Sequence, residues 1–222
     1  QAIKKDAPDI SFVSPAVQVS GQAINGGNNW PTQMMGVGAD YFQIRDWQIA
    51  YGRLFTSLDD KALKKVCVIG QTVKTNLFPD GSNPVGSTIR FANIPMEIIG
   101  VLTAKGSSSF GQDQDDVIIA PFTTVQRRFL GITWVQTIYA SSVNSQSSQK
   151  ASDEISDILR KDHKLPMDGS NDDFMIRTED ELISTMSSTK QLLTVLLSVI
   201  AGISLIVGGI GIMNIMYVSV TE

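Results

Sequence analysis

Apolar and polar positions alternate loosely from Ser11 to Ile24, where Val13, Val17 and Val19 are separated by Ser, Pro and Gly, and this period of two predicts a strand. Asn25-Gly26-Gly27-Asn28-Asn29 is a turn sequence and Trp30 to Val37 supplies a second strand, so the two read as a hairpin. Ahead of them, residues 1–7 form the tail of a short helix halted by Pro8. Between Tyr41 and Gly131 the punctuation is dense. Lys65 to Ile69 reads as a strand and Gln71 to Phe78 as a short helix, followed by the turns Pro79-Asp80-Gly81 and Asn83-Pro84-Val85-Gly86. Ser87 to Phe91 and Met96 to Leu102 pair around the turn Ala92 to Pro95. Asp116 to Ala120 is another strand, and Thr123 or Thr124 caps a helix running towards Leu130.

The pattern then changes. Trp134 to Val143 alternates as a strand, and Ala151, Ile155, Ile158 and Leu159 fall at helical spacing. With a loop from Leu165 to Asp173 and a strand from Phe174 to Arg177, this stretch reads as a β–α–β unit. Thr178 and Glu181 make a T-x-x-E capping box that starts a helix at Glu179. No Pro or Gly interrupts that helix before Gly202, and from Gln191 to Thr221 there is no Asp, Glu, Lys or Arg. An apolar run of this length predicts a membrane span. Taken as helix, Leu192 to Val218 is roughly 40 Å long at a rise of ~1.5 Å per residue, enough to cross a hydrocarbon core of about 30 Å.

Charge and composition narrow the chemistry. The formal net charge is -4, and only Glu222 lies beyond Lys190, so the charge belongs to an ordinary polar segment of residues 1–190. A mildly acidic balance without a Lys/Arg-rich block predicts no nucleic-acid partner, and Lys4-Lys5 and Lys64-Lys65 read as solvated faces. Cys67, the single cysteine, lies in the apolar run Val66 to Ile69 and reads as a buried hydrophobe. His163 is the single histidine, which argues against a histidine metal site or a Ser-His-Asp triad. The absence of an initiator Met and of a signal peptide, and the stop just past the span, read as a piece of a longer chain.

Candidate sites are few. Gly208-Gly209-Ile210-Gly211 lacks the Gly-Lys-Ser/Thr of a phosphate loop. On a helical wheel Ala201, Ser204, Gly208 and Gly211 fall within roughly 80° of one another, a stripe that lets helix backbones approach closely in lipid, and Asn214 is an amide suited to an interhelical hydrogen bond. The acidic groups Asp113, Asp115, Asp116 and Asp168, Asp172, Asp173 lack calcium-loop spacing and read as solvated loops. Phe110-Gly111-Gln112 and Trp134 suit either an exposed contact surface or a core or turn role. No catalytic, metal or cofactor-binding residue is expected.

Several short segments together resemble the MacB-like family of ABC exporter permeases, in the region between their first and second membrane helices. They are Val13-Ser14-Pro15, Tyr41-Phe42, Gly52-Arg53-Leu54-Phe55, Val68-Ile69-Gly70-Gln71-Thr72, Leu77-Phe78-Pro79, Pro84-Val85-Gly86 and Ile99-Gly100-Val101. Phe110-Gly111 leading to Pro121, and Gly209-Ile210-Gly211-Ile212-Met213-Asn214-Ile215-Met216 with Val218 to Glu222, complete the set. The last motif is the most specific.

The resemblance implies an α+β fold: a porter-like βαβ subdomain built from residues 1–43 and 133–189, a β-rich, sabre-like insertion at 44–132, and a stalk and transmembrane helix ending in 190–222. It further implies a bacterial inner-membrane protein with residues 1–189 periplasmic or extracellular, which is a homodimer embedded in lipid. ATP and Mg would be handled by an ABC ATPase domain or subunit absent from this chain, so the chain itself is no enzyme. A periplasmic adaptor and an outer-membrane duct are the further partners implied, and the function is efflux by mechanical coupling. An FtsX-like regulator of cell-wall hydrolases or a lipoprotein-releasing permease is the alternative; FtsX-like proteins lack a β-rich middle module, so residues 44–132 favour the exporter.

Overall fold

The longest strand, β1 (Ile10–Asn25), serves three neighbours in the computed structural model, which describes residue 3, residues 7–108 and residues 111–221. Its first half, from Ile10 to Ala16, pairs antiparallel with β8 (Thr137–Ser142). Its second half, from Ala16 to Asn25, pairs antiparallel with β2 (Asn28–Val37), and Ala23 and Ile24 also pair with β5 (Thr88–Phe91). From β2 the sheet continues through parallel β7 (Val117–Pro121), antiparallel β4 (Val66–Ile69) and parallel β6 (Ile94–Leu102). β6 pairs antiparallel with β5, so the ladder β1-β2-β7-β4-β6-β5 returns to β1. Closing a sheet on itself removes its edges. β8 and the short β3 (Ile49–Gly52), which pairs with β6, stand outside the ring.

Burial explains the pattern of the central strands. β4 reads VCVI and β7 reads VIIAP, and every residue of both is buried. Cys67, Ile69, Ile118 and Ala120 enter one core with Met34 and Phe91. Val66, Val68, Val117 and Ile119 enter a second with Phe42, Trp47 and Phe55. Strands covered on both faces read as continuous apolar runs, whereas β5 (TIRF) alternates exposed and buried positions. The helices of this unit are short: α1 (Tyr41–Ile44), α2 (Ser57–Lys61), α3 (Gln71–Leu77) and α4 (Phe122–Thr124). α4 widens into a π-helical turn over Val125–Leu130, which ends at Gly131 in the left-handed conformation.

Both expected hairpins form, each tighter than its sequence suggested. β1 and β2 are joined by Gly26-Gly27 alone, with Asn25 opposite Asn28. β5 and β6 are joined by Ala92 and Asn93, at φ of 45° and 68°, the double positive φ of a turn that matches strand twist. The mixed sheet and helix of the chain fit the α+β class that the resemblance implies. The expected subdivision at 43/44 and 132/133 is crossed by hydrogen bonding, because β2 pairs with β7 and β1 with both β5 and β8.

Two expectations differ from the fold. Thr123 and Thr124 do not cap a helix. Their hydroxyls are taken across the chain, Thr123 donating to Asp60 Oδ1 at 2.7 Å and Thr124 to the Lys64 carbonyl at 3.0 Å. Residues 174–177 form no strand, although half-buried and exposed positions alternate there. A strand exists only where a neighbour completes its ladder, and the contacts recorded at this segment are made by side chains. The expected helix at residues 1–7 falls mostly outside the described residues.

The chain divides into two compact units, residues 1–158 and 159–222. The first holds the whole sheet. α5 (Ser148–His163) begins there, with Ala151 buried and Lys150 paired to Asp9 and to Glu154. In the second unit Arg160 grips Asp172 with two parallel bonds, Nε to Oδ1 at 2.9 Å and Nη2 to Oδ2 at 2.7 Å. His163 Nδ1 meets Asp173 at 2.8 Å. The rest of that unit is α6 (Glu179–Thr221), 43 residues without a break, or about 65 Å of helix.

One buried carboxylate holds the region between β3 and β4. Asp59 is 3% exposed and accepts from Lys64 Nζ at 2.7 Å, Arg53 Nη1 at 3.1 Å and the Thr56 N–H at 2.9 Å, while the Thr56 hydroxyl accepts from the Asp59 N–H. The bond from Lys64, then those from Thr56, hold its carboxyl well below the ordinary carboxylate range against the opposing effect of burial. Asp59→Ala should lower the unfolding free energy by about 2 kcal/mol, measured by denaturant titration. Because the folded-state pKa is depressed, the contribution is complete above the unfolded-state value and disappears as pH falls through the acid range. The wild-type and Asp59→Ala stabilities should therefore converge on acidification.

Candidate functional site

α6 is the element that sets this chain apart from a soluble domain, and its first turn is built as the sequence implies. Thr178 Oγ1 accepts from the Glu181 N–H, and Glu181 Oε2 accepts from the Thr178 N–H, both at 3.2 Å. This reciprocal pair satisfies two of the free donors at a helix start. Glu179, Asp180 and Glu181 occupy the first turn, where negative charge meets the positive end of the helix dipole.

Beyond Lys190 every described Ser and Thr hydroxyl with a recorded bond turns back onto its own helix. Thr194 donates to the Lys190 carbonyl, Ser198 to Thr194 and Ser204 to Ile200, at 2.8 to 2.9 Å. The helix thus satisfies these three hydroxyls internally, as a hydrocarbon environment requires. It is the one helix among the described residues long and apolar enough to cross a membrane. Its large apolar side chains, from Leu192 to Met216, are exposed on all sides within the chain.

Ala201, Ser204, Gly208 and Gly211 all lie on this helix. Beyond the helix's own backbone, nothing among the described residues lies within 4 Å of where a Cβ would stand at Gly208 or Gly211, and the same holds at Gly202 and Gly209. Asn214 lies on the same helix, with its side chain outside the described residues.

Reactive chemistry is scarce elsewhere. No group of three potential metal ligands occurs among the described residues. Cys67 is fully buried, and burial pushes its thiol pKa up, the reverse of an activated nucleophile. Burial also raises the Tyr41 hydroxyl to about 12.

Of the two acidic loops expected to be solvated, the second keeps Asp168 and Asp173 exposed, whereas the first fastens structure. Asp115, 6% exposed, accepts from the backbone N–H of Lys105 and Gly106 at 2.8 and 2.9 Å. Asp116 accepts from the Trp30 indole at 2.9 Å and the Thr32 hydroxyl at 2.7 Å, fastening β7 to β2. Asp113 accepts from Thr72 at 2.6 Å. In sequence Asp113 and Asp116 looked like loop charges because their donors lie far away along the chain. A groove of about 770 Å³ between the β1–β2 hairpin and this loop is lined by Gln18, Gln33, Gln112, Asp113 and Asp116 among others, with no base or nucleophile pair. Trp134 is exposed; Phe110 lies outside the described residues.

Thr178→Ala removes one half of the helix-start pair. It should destabilise the first turn of α6 by about 1 kcal/mol, read as roughly fivefold faster amide exchange at Glu181 and Leu182.

Comparison with known proteins agrees with this geometry. Residues 1–158 match the family model described as the MacB-like periplasmic core domain. A macrolide export ATP-binding/permease protein MacB from Chlorobium luteolum is 41% identical over 225 residues, covering 98% of this chain and 33% of that protein. Its counterpart from Rhodospirillum rubrum is 38% identical over 214 residues, covering 96% of this chain and 32% of that protein. The chain thus spans about a third of the length of these curated relatives. Among solved structures, the periplasmic region of MacB from Actinobacillus actinomycetemcomitans superposes with a TM-score of 0.66 at 25% identity, covering 83% of this chain and 82% of that one. The extracellular domain of the noncanonic ABC-type transporter YknZ from Gram-positive bacteria shares the fold, with a TM-score of 0.63 at 18% identity, covering 75% of this chain and 84% of that one.

Proposed function

This chain belongs to the MacB-like periplasmic core domain family, and from that premise we propose that it is the extracytoplasmic domain and second membrane helix of an ABC-type efflux permease of the bacterial inner membrane. In this reading ATP is hydrolysed, with Mg, on an ABC ATPase outside this chain. α6 carries the resulting movement out of the membrane, and the domain of residues 1–158 turns it into expulsion of substrate on the outer side. Two copies work as a homodimer, with a periplasmic adaptor and an outer-membrane duct as further partners. The porter-like parts (1–43 and 133–189) and the β-rich part (44–132) are the working divisions of the outer machinery.

One observation carries the reading: α6 is a single helix that starts at a polar, side-chain-capped turn and continues without interruption through the whole uncharged stretch to Thr221. Bending such a helix breaks backbone bonds, so it transmits displacement along its length. Thr189→Pro removes one i→i−4 bond at the junction, a cost of about 3 kcal/mol. In cells producing the complete exporter, this variant should hydrolyse ATP near the wild-type rate yet export substrate at less than about a tenth of it. Export that stays proportional to hydrolysis would overturn the relay.

The stripe of Ala201, Ser204, Gly208 and Gly211 is the face on which α6 packs against other helices, with Asn214 as its hydrogen-bonding partner residue. Gly208→Leu or Gly211→Leu should therefore lower export about tenfold, through loss of one to two kcal/mol of helix packing. Residues 1–189 should keep their circular dichroism spectrum and melting behaviour.

A further inference from the structure

β8 is the one long-ladder strand whose outer side no strand covers among the described residues: it pairs with β1 and ends the sheet order. In an antiparallel pair every second residue turns its N–H and C=O away from its neighbour, so this side presents a row of unpaired backbone groups. Natural edges are guarded by charges, Pro or bulges. This one is not, since residues 129–149 contain no Asp, Glu, Lys or Arg and no Pro. The pairing of β8 runs without a register shift from Ser141 to Thr137, the one irregularity lying between Ser141 and Ser142, where β1 carries an extra residue. Trp134 and Val143, at its two ends, are 59% and 58% exposed, and Val135 and Ile138 are exposed as well. The strand is nevertheless firmly held, because Tyr139 packs edge-on against Tyr41 of α1 with ring centres 5.3 Å apart. A firmly held, uncharged edge of this kind is a template for strand addition.

Charge decides what fits there. The Gln126 side chain donates to the Trp134 carbonyl at 3.1 Å, and the Ile132 N–H donates to the Gln126 carbonyl at 3.2 Å. The π-helical turn is thereby folded onto the start of the edge. That turn carries Arg127 and Arg128, both exposed and engaged by no carboxylate among the described residues. An exposed Trp and two exposed Arg within eight residues, joined through Gln126, have the composition of a protein–protein anchor. A second copy of this chain would offer an edge free of acid, leaving the arginines of both copies unanswered. A lipid surface would leave the backbone row unpaired.

We propose that the outer edge of β8 is a docking site for an extended, carboxylate-bearing segment of another extracytoplasmic protein. That segment adds a strand beside Thr137–Ser142, covers Trp134 and Ile138, and pairs its acid with Arg127 and Arg128. The proposal rests on the reading that residues 1–158 lie outside the cytoplasm.

The test uses the complete exporter in cells, with p-benzoylphenylalanine in place of Ile138, irradiation, and identification of the crosslinked peptide by mass spectrometry. The expected product joins this chain to a different extracytoplasmic protein, through a strand-forming peptide that contains Asp or Glu. Arg127→Glu with Arg128→Glu should cut the yield about tenfold, as should Trp134→Ser. Arg90→Glu, an exposed charge reversal on β5, should leave it unchanged. Replacing the partner's acid by Lys should restore the yield with the double Glu variant, and Arg127→Gln with Arg128→Gln serves if that variant fails to fold. A crosslink to a second copy, to another segment of the same chain or to lipid alone would overturn the proposal, as would no crosslink or a yield indifferent to the arginines. Ser82→Cys labelling by a membrane-impermeant maleimide separates the two ways of failing. Labelling from outside without a crosslink sinks the edge alone, whereas no labelling, or a crosslink to a cytoplasmic protein, sinks the placement as well.

Discussion

Backbone N–H and C=O groups that leave water must find partners within the protein, and the two compact units of this chain meet that demand in different ways. In residues 1–158 the solution is closure: β1 is long enough to serve β2, β5 and β8, so the ladder can run around and return to it. In residues 159–222 it is a helix that satisfies itself, with hydroxyls of Thr194, Ser198 and Ser204 turned back onto carbonyls four residues earlier. Both solutions leave apolar side chains facing outwards, most of them along α6, with Trp134, Val135, Ile138 and Val143 at and around β8. The cover proposed for α6 is lipid and other helices, and that proposed for β8 is an added partner strand.

Three of the short segments that carry the family resemblance are places where backbones touch. Gly52, at a φ of 80°, lies so close to the Ile99 carbonyl that a Cβ would collide with it, and a Cβ at Gly100 would stand 2.5 Å from the Arg53 carbonyl. The Arg53 N–H donates to the same Ile99 carbonyl at 2.9 Å. Gly52-Arg53 and Ile99-Gly100 are therefore two sides of one contact, and only glycine permits it. At Gly70 a Cβ would meet the Asp115 carbonyl, while its N–H donates to Val117 at 2.9 Å. These motifs mark the fold. That suits a domain whose proposed work is movement and contact instead of bond chemistry.

Carboxylates hold this architecture together through donors remote in sequence. Asp116 is 84 residues from Thr32 and 86 from Trp30, and Asp113 is 41 from Thr72. Asp59 instead gathers neighbours within six residues, yet neither Arg53 nor Lys64 stands at a spacing that announces an ion pair. Each of these side chains reads as a surface charge until the sheet brings its donors to it. The same holds for Thr123 and Thr124, whose hydroxyls answer to Asp60 and Lys64 sixty or more residues earlier.

Local order was legible from residues alone wherever one short-range rule governs it. Alternation and glycine turns placed β1, β2, β5 and β6, the apolar runs placed β4 and β7, and the T-x-x-E pair placed the start of α6. Absence of charge over Gln191 to Thr221 marked the membrane-length helix, because every residue of a span must suit the same solvent. Tertiary structure alone decided which strands are neighbours, that the ladder closes, and that, among the described residues, 174–177 join no strand ladder and the outer side of β8 is left without a neighbouring strand. Those outcomes depend on partners supplied from elsewhere in the chain, and neither the period nor the composition of a segment records what will lie beside it.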